Sequence, residues 1–199
     1  MRITVNILEN FTSFIFLAIA VPASFSGIFW GRTQCSNSNG RFSCLTGDCG
    51  SGQVACQGKG GAPPLTLAEF TFARNAGQDT YDISLVNGYN VLISVSPQGG
   101  SGGKCNRISC IGVKGICPRE LVVKGPNNGV LACKSACDEF KQPQYCCTGN
   151  YAPRGSCPPT NYANSFKRQC PQAYSYAHDD PSSTFSCPTG INYAITFCP

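Results

Sequence analysis

Charge is scarce in this chain. Lys, Arg, Asp and Glu make up only 13% of it, the 15 basic side chains mildly outnumber the 10 acidic ones, and the longest basic run is Lys167-Arg168. No basic stripe that could track a phosphate backbone results, so the sequence gives no support for a nucleic-acid partner. Histidine is scarcer still, with His178 alone, and no Cys-x2-Cys knuckle occurs. The ligand spacing of structural zinc is therefore missing, and no metal or other cofactor is expected. The apolar run Phe11 to Ala20 is too short for a comfortable membrane span. No serine or cysteine nucleophile constellation stands out, and the Gly99–Gly103 run lacks phosphate-loop spacing.

What the chain does have is fifteen cysteines among 22 glycines and 14 prolines. Cysteine at this density persists where oxidation locks it into bridges, which places the chain outside the reducing cytosol. Cys35 with Cys44, and Cys49 with Cys56, would close short loops that disulfides handle well. The count is odd, so at least one thiol is free, paired with another molecule, or without its partner. The aromatic content of 11% argues against disorder, and the glycine and proline content against a helical bundle.

Residues 1–20 differ from the rest. Arg2, a short apolar stretch and the small-x-small pattern Ala18-Ile-Ala20 read as a signal peptide cleaved after Ala20 or Ala23, or else as an aberrant N-terminus. Asn10-Phe11-Thr12 is the single glycosylation sequon. Farther along, Leu67–Phe72 and Tyr81–Val86 alternate apolar and polar residues with period two, and Val91–Val95 reads as a third strand, with glycine turns between. Strand character returns at Ser183–Phe185 and Ile191–Phe197. Leu131–Phe140 has helical spacing, and Thr160 is placed to cap a short helix through Tyr162 and Phe166 that ends at Pro171. The fold class is mainly β, a β-sandwich with disulfide-rich excursions.

The block Gly40-Arg-Phe-Ser-Cys44-Leu-Thr-Gly-Asp-Cys49-Gly-Ser-Gly-Gln-Val-Ala-Cys56 resembles the signature of the thaumatin-like proteins, a plant defence family. Phe29-Trp-Gly-Arg-Thr33, Tyr81-Asp-Ile-Ser-Leu85, Gln144-Tyr-Cys-Cys147, Gln169-Cys-Pro171 and the ending Ala194-Ile-Thr-Phe-Cys-Pro199 carry the same resemblance. It runs from about Val21 to the C-terminus. It implies a sandwich core at about 62–111 and 171–199, a cysteine-rich loop and hairpin unit at about 33–61, and a helical disulfide-rich unit at about 112–170. It also implies the bridges Cys35–Cys44, Cys49–Cys56, Cys105–Cys187, Cys110–Cys170, Cys117–Cys133, Cys137–Cys146 and Cys147–Cys157. Cys198 is left over, because the family's partner for it lies in a leading stretch that residues 1–20 replace. On this reading the first strands of the sandwich are missing, and the chain is a truncated and less stable member.

The family carries an acidic cleft of one Arg, one Glu and three Asp. The matching positions are Ile28, Glu69, Asp82, Asn87 and Asp179, with Asp180 beside the last, so Ile28 and Asn87 depart from the pattern. By residue type alone, Glu69 and Asp82 are either solvated strand-face carboxylates or a pair able to bind sugar hydroxyls and, with one of them protonated, to cleave a glycosidic bond. Tyr174 and Tyr176 either stack on sugar or pack on a sheet. The resemblance implies a secreted antifungal protein of the apoplast or vacuole that binds fungal β-1,3-glucan or perturbs a membrane surface. The alternatives are a weak endo-β-1,3-glucanase, with Glu69 and Asp82 catalytic, and a nonfunctional truncated chain. A monomer is expected, with association through an exposed sheet edge or Cys198.

Overall fold

The computed structural model describes residues 1–9, 13–74, 77–100, 102–112 and 117–199. The Asn10-Phe11-Thr12 sequon lies outside them. In chain order the strands are β1 (Arg2–Glu9), β2 (Ser13–Ala20), β3 (Ser26–Trp30), β4 (Thr33–Ser38), β5 (Arg41–Thr46), β6 (Leu67–Thr71), β7 (Gln78–Ser84), β8 (Ile93–Gln98), β9 (Ile108–Cys110), β10 (Val122–Lys124) and β11 (Val130–Cys133), then β12 (Phe185–Pro188) and β13 (Asn192–Phe197). The helices are α1 (Ala136–Phe140), α2 (Pro143–Cys146), α3 (Asn161–Gln169) and α4 (Asp180–Ser183).

Two sheets make the sandwich, in the orders β2-β1-β13-β8-β9 and β12-β7-β6-β3. The alternation read in β6 and β7 sets which side chains enter the core. Ala68, Phe70, Tyr81 and Ile83 are buried between the sheets, and Glu69 and Asp82 stand on the opposite face, only part-buried. From the facing sheet Tyr193 meets Phe70 and Tyr81, each with ring centroids 5.3 Å apart. Ile93, Val95, Ile108 and Ile195 are fully buried around them.

Within residues 1–20, read from the sequence as a signal peptide or an aberrant N-terminus, Arg2–Glu9 and Ser13–Ala20 form the paired strands β1 and β2. β1 runs parallel to β13, with Ile3 opposite Tyr193 and Val5 opposite Ile195. The physical reason is visible in Arg2-Ile-Thr-Val5, where apolar residues fall at period two. Ile3 is 0% exposed and Val5 8%, both in the core. β2 closes the sheet as its edge, with Ile15 and Leu17 exposed.

A second difference lies at Leu131–Phe140. Its first part is strand β11, and only Ala136–Phe140 is helical. Tyr89 and Cys133 exchange both backbone hydrogen bonds, at 2.9 and 2.8 Å, and this holds the segment extended. Helix α1 then starts at Ser135, whose side chain accepts from the Asp138 N–H. Helix α3 starts at the Thr160 cap, which accepts from Ala163, and ends at Cys170 before Pro171.

Among the described residues seven disulfides close. Cys35–Cys44 and Cys49–Cys56 staple the β4–β5 hairpin unit, while Cys117–Cys133, Cys137–Cys146 and Cys147–Cys157 knit the helical unit. Cys105–Cys187 and Cys110–Cys170 span 82 and 60 residues and tie distant segments to the sandwich. Loops of that length lose most entropy on closure, on the order of 4 kcal/mol each in the chain-entropy account. Cys198 is the free cysteine and is exposed.

Candidate functional site

The outer face of the β12-β7-β6-β3 sheet carries a row of three side chains. Ile28 on β3 stands opposite Glu69 on β6, and Glu69 opposite Asp82 on β7. Directly opposed residues on neighbouring strands have Cβ atoms about 4.5–5.5 Å apart, so the row is continuous. The Asp82 and Glu69 carboxyls are direct cross-strand neighbours. Asp82 Oδ1 is buried without a partner.

Burial first, then the adjoining Glu69 carboxyl and, least, Asp180 together push the Asp82 carboxyl up to about 8. Asp82 is therefore protonated at acidic and neutral pH. The exposed Ile28 on the other flank of Glu69 supplies no charge.

Asp180, the first residue of α4, approaches this row from between α3 and β12. The chain at Tyr174 lies along the end of β7, with Tyr174 N–H donating to Ile83 and the Leu85 N–H donating to Tyr174, both at 2.8 Å. The Tyr174 hydroxyl donates to Asp180 Oδ1 at 3.2 Å and is 2.5 Å from Thr184 Oγ1. Arg154, from the helical unit, pairs with the same Asp180 oxygen at 2.9 Å. Cation and acid thus meet across the gap between the helical unit and the sheet. No local signal marks Arg154 in the sequence, since it lies 26 residues before Asp180 and in none of the motifs.

Asp179 points elsewhere. It is 8% exposed, and its Oδ2 accepts from the Ser175 N–H at 3.0 Å, the Ser175 hydroxyl at 2.9 Å and the Lys167 ammonium at 2.9 Å. Its Oδ1 accepts from Ser182 at 3.0 Å. With both oxygens engaged, Asp179 braces the loop, and Asp180 is the aspartate beside the Glu69–Asp82 pair.

Asn87 sits beyond the end of β7, in the turn with Gly88, and is exposed. It lines a cavity of about 220 Å³ against the helical unit instead of touching the carboxyl pair. Tyr176 lines a small interior cavity with Phe166 and Ala163, so it packs. His178 Nδ1 is buried without a partner, and among the described residues no three metal-ligating side chains converge.

A two-sheet sandwich with two disulfide-stapled satellite units and a pair of carboxyls on one outer sheet face defines a disulfide-stabilised β protein. The chain belongs to the thaumatin family, whose model matches residues 11–199. It is similar to "Thaumatin-like protein 1" of Pyrus pyrifolia, 56% identical over 184 residues that cover 92% of this chain and 75% of the relative. It is also similar to a Prunus avium protein named "Glucan endo-1,3-beta-glucosidase", 53% identical over 180 residues that cover 89% of this chain and 73% of the relative. Among solved structures, the thaumatin-like xylanase inhibitor TLXI aligns over 100% of both chains at 18% identity and a TM-score of 0.47.

Proposed function

We propose that this protein is a secreted plant defence protein whose Glu69–Asp82 sheet face binds the β-1,3-glucan of fungal walls. The observation that carries the reading is the Glu69–Asp82 pair, set on a sheet face with Asp180 beside it and the helical unit across the gap. The protonated Asp82 carboxyl supplies a donor, and the oxygens of the two carboxyls supply acceptors, which is what vicinal sugar hydroxyls require. The family membership and the plant relatives support the defence role, and the cysteine density supports an extracellular site of action. Among the described residues no helix is long and apolar enough to cross a membrane.

Binding is favoured over hydrolysis because Ile28 and Asn87 stand where the family's acidic cleft carries an Arg and an Asp, which leaves the Glu69–Asp82 pair without two of the charges around it. A weak endo-β-1,3-glucanase is the second reading. It is favoured by the name of the Prunus avium relative and by the protonated state of Asp82, which suits a general acid.

Co-sedimentation with insoluble β-1,3-glucan, with cellulose as control, tests the first reading. The wild-type protein pellets with the β-1,3-glucan, and Asp82→Asn and Glu69→Gln each weaken retention at least about tenfold, the equivalent of about 1.4 kcal/mol. Equal retention on cellulose, or none on either polymer, sinks the proposal. Reducing-sugar release from a soluble β-1,3-glucan, lost in Glu69→Gln, would establish the second reading.

A further inference from the structure

The dipeptide Asn-Gly occurs three times in the chain, at Asn39, Asn87 and Asn128. Glycine has no side chain to shield its backbone nitrogen, which can attack the side-chain carbonyl carbon of the asparagine before it. A new C–N bond closes a succinimide ring, and the amide nitrogen leaves as ammonia, taking the glycine proton with it. Water then opens the ring at either carbonyl, to aspartate or to isoaspartate. The chemistry consumes only water. It requires a glycine nitrogen free of hydrogen bonds and a peptide group free to rotate, so the fold decides which of the three pairs reacts.

Asn87–Gly88 is locked. The Asn87 carbonyl accepts from the Leu65 N–H at 3.2 Å, and the Gly88 N–H donates to the Leu85 carbonyl at 2.9 Å. Gly88 is buried with φ +81°, and a Cβ on it would collide with the Cys133 carbonyl oxygen, so the turn is pressed onto the helical unit. Asn39–Gly40 is exposed, but it forms the whole two-residue turn between β4 and β5. Ser38 and Arg41, at its ends, are a paired rung of the ladder, and Cys35–Cys44 staples the same hairpin. Rotating the peptide group inside that turn would break the rung.

Asn128–Gly129 meets both requirements. The pair is exposed in the loop 125–129 between β10 and β11. The loop's internal bonds run from the Asn128 N–H to the Gly125 carbonyl at 3.0 Å and from the Gly125 N–H to the Gly129 carbonyl at 2.9 Å. Among the described residues nothing bonds the Asn128 carbonyl or the Gly129 N–H, so the peptide group between the two residues is unrestrained. A register shift between Val123 and Lys124 loosens the ladder next to it. The far end of the hairpin is fixed by the Cys117–Cys133 bridge and the Tyr89–Cys133 backbone pair, so a change at the tip leaves the fold in place. We infer that Asn128 is a self-modification site, deamidating on the folded protein while Asn87 persists as an amide. Conversion puts a carboxylate in a loop flanked by the exposed Lys124 and lowers the formal net charge of +5 by one unit.

The test is peptide mapping by mass spectrometry of the full chain, incubated folded in mildly alkaline buffer beside a reduced and denatured sample. In the folded protein Asn128 converts at least about tenfold faster than Asn87 and Asn39, whereas in the denatured chain the three convert within about threefold of one another. Gly129→Ala, whose Cβ meets nothing within 4 Å, slows conversion at Asn128 at least about tenfold and leaves the denaturant midpoint unchanged. Conversion of Asn87 at the pace of Asn128 in the folded protein would overturn the assignment. So would an Asn128 that stays an amide there while converting in the denatured chain. Undiminished conversion in Gly129→Ala would rule out attack by the Gly129 nitrogen.

Discussion

Lys167 on α3 and Asp179, next to the cleft aspartate Asp180, meet at 2.9 Å with most of both side chains out of water. The same ammonium donates to the Ala173 carbonyl at 2.9 Å and to Ser183 Oγ at 2.7 Å, so one lysine pins both ends of the loop that delivers Tyr174 and Asp180. Replacing it by methionine leaves Asp179 buried without its cation. Breaking such a pair costs about 3–5 kcal/mol, and for a chain of this size each kcal/mol lowers Tm by about 2–4 °C. Lys167→Met is therefore expected to lose roughly 10 °C by calorimetry, and Lys167→Met with Asp179→Asn to recover much of it. A shift under about 2 °C would show that the brace is dispensable.

Asp82 makes stability depend on pH. In the unfolded chain its carboxyl titrates at about 3.9, and in the folded protein at about 8. The folded state holds the proton more tightly, so this contribution is fully present below about pH 4 and is lost as pH rises toward about 8. Urea midpoints should fall between about pH 5 and pH 8, and Asp82→Asn should flatten that slope and raise stability at the alkaline end. An unchanged slope in the variant would place the titrating group elsewhere.

Cys198 should be the reactive thiol. Alkylation of the denatured, non-reduced protein followed by intact mass is expected to add a single label, mapped to Cys198 and absent from Cys198→Ser. Several labels would mean that some of the seven bridges in the structure do not form in solution.

Gly88→Ala meets two penalties. The positive φ disfavours a Cβ by about 1–2 kcal/mol, and the 2.2 Å approach to Cys133 forces the turn off the helical unit. Gly99, with φ +94° and nothing within 4 Å of its virtual Cβ, isolates the first penalty. The denaturant midpoint of Gly88→Ala should fall clearly below that of Gly99→Ala, and equal midpoints would remove the argument from close approach.

Much of the sandwich was legible because period-two alternation and burial are the same fact in β6 and β7. Phe70 and Tyr81 face in because Glu69 and Asp82 face out. The place of β1 is not legible although Arg2-Ile-Thr-Val5 alternates in the same way, because its partner β13 lies at the far end of the described chain, with Ile3 opposite Tyr193. Leu131 to Cys133 was misread for a related reason. Its spacing suits a helix, but its hydrogen-bond partner is Tyr89, far back in the chain. At the site, the Glu69–Asp82 row follows from strand register, which alternation fixes. Which of two adjacent aspartates faces the cleft does not follow from sequence, since Lys167 decides it through a tertiary contact. Arg154 was invisible for the same reason.

The parallel pairing of β1 with β13 bears on how the molecule comes into being. The Arg2 N–H donates to the Asn192 side chain at 2.8 Å across 190 residues, and β13 lies between β1 and β8 in its sheet. Ile3 and Val5 stay uncovered until two segments so far apart in the chain meet, a step with a high loop-closure cost. Until then β13 presents an open strand edge, and association through that edge is the hazard that folding of this protein has to outrun.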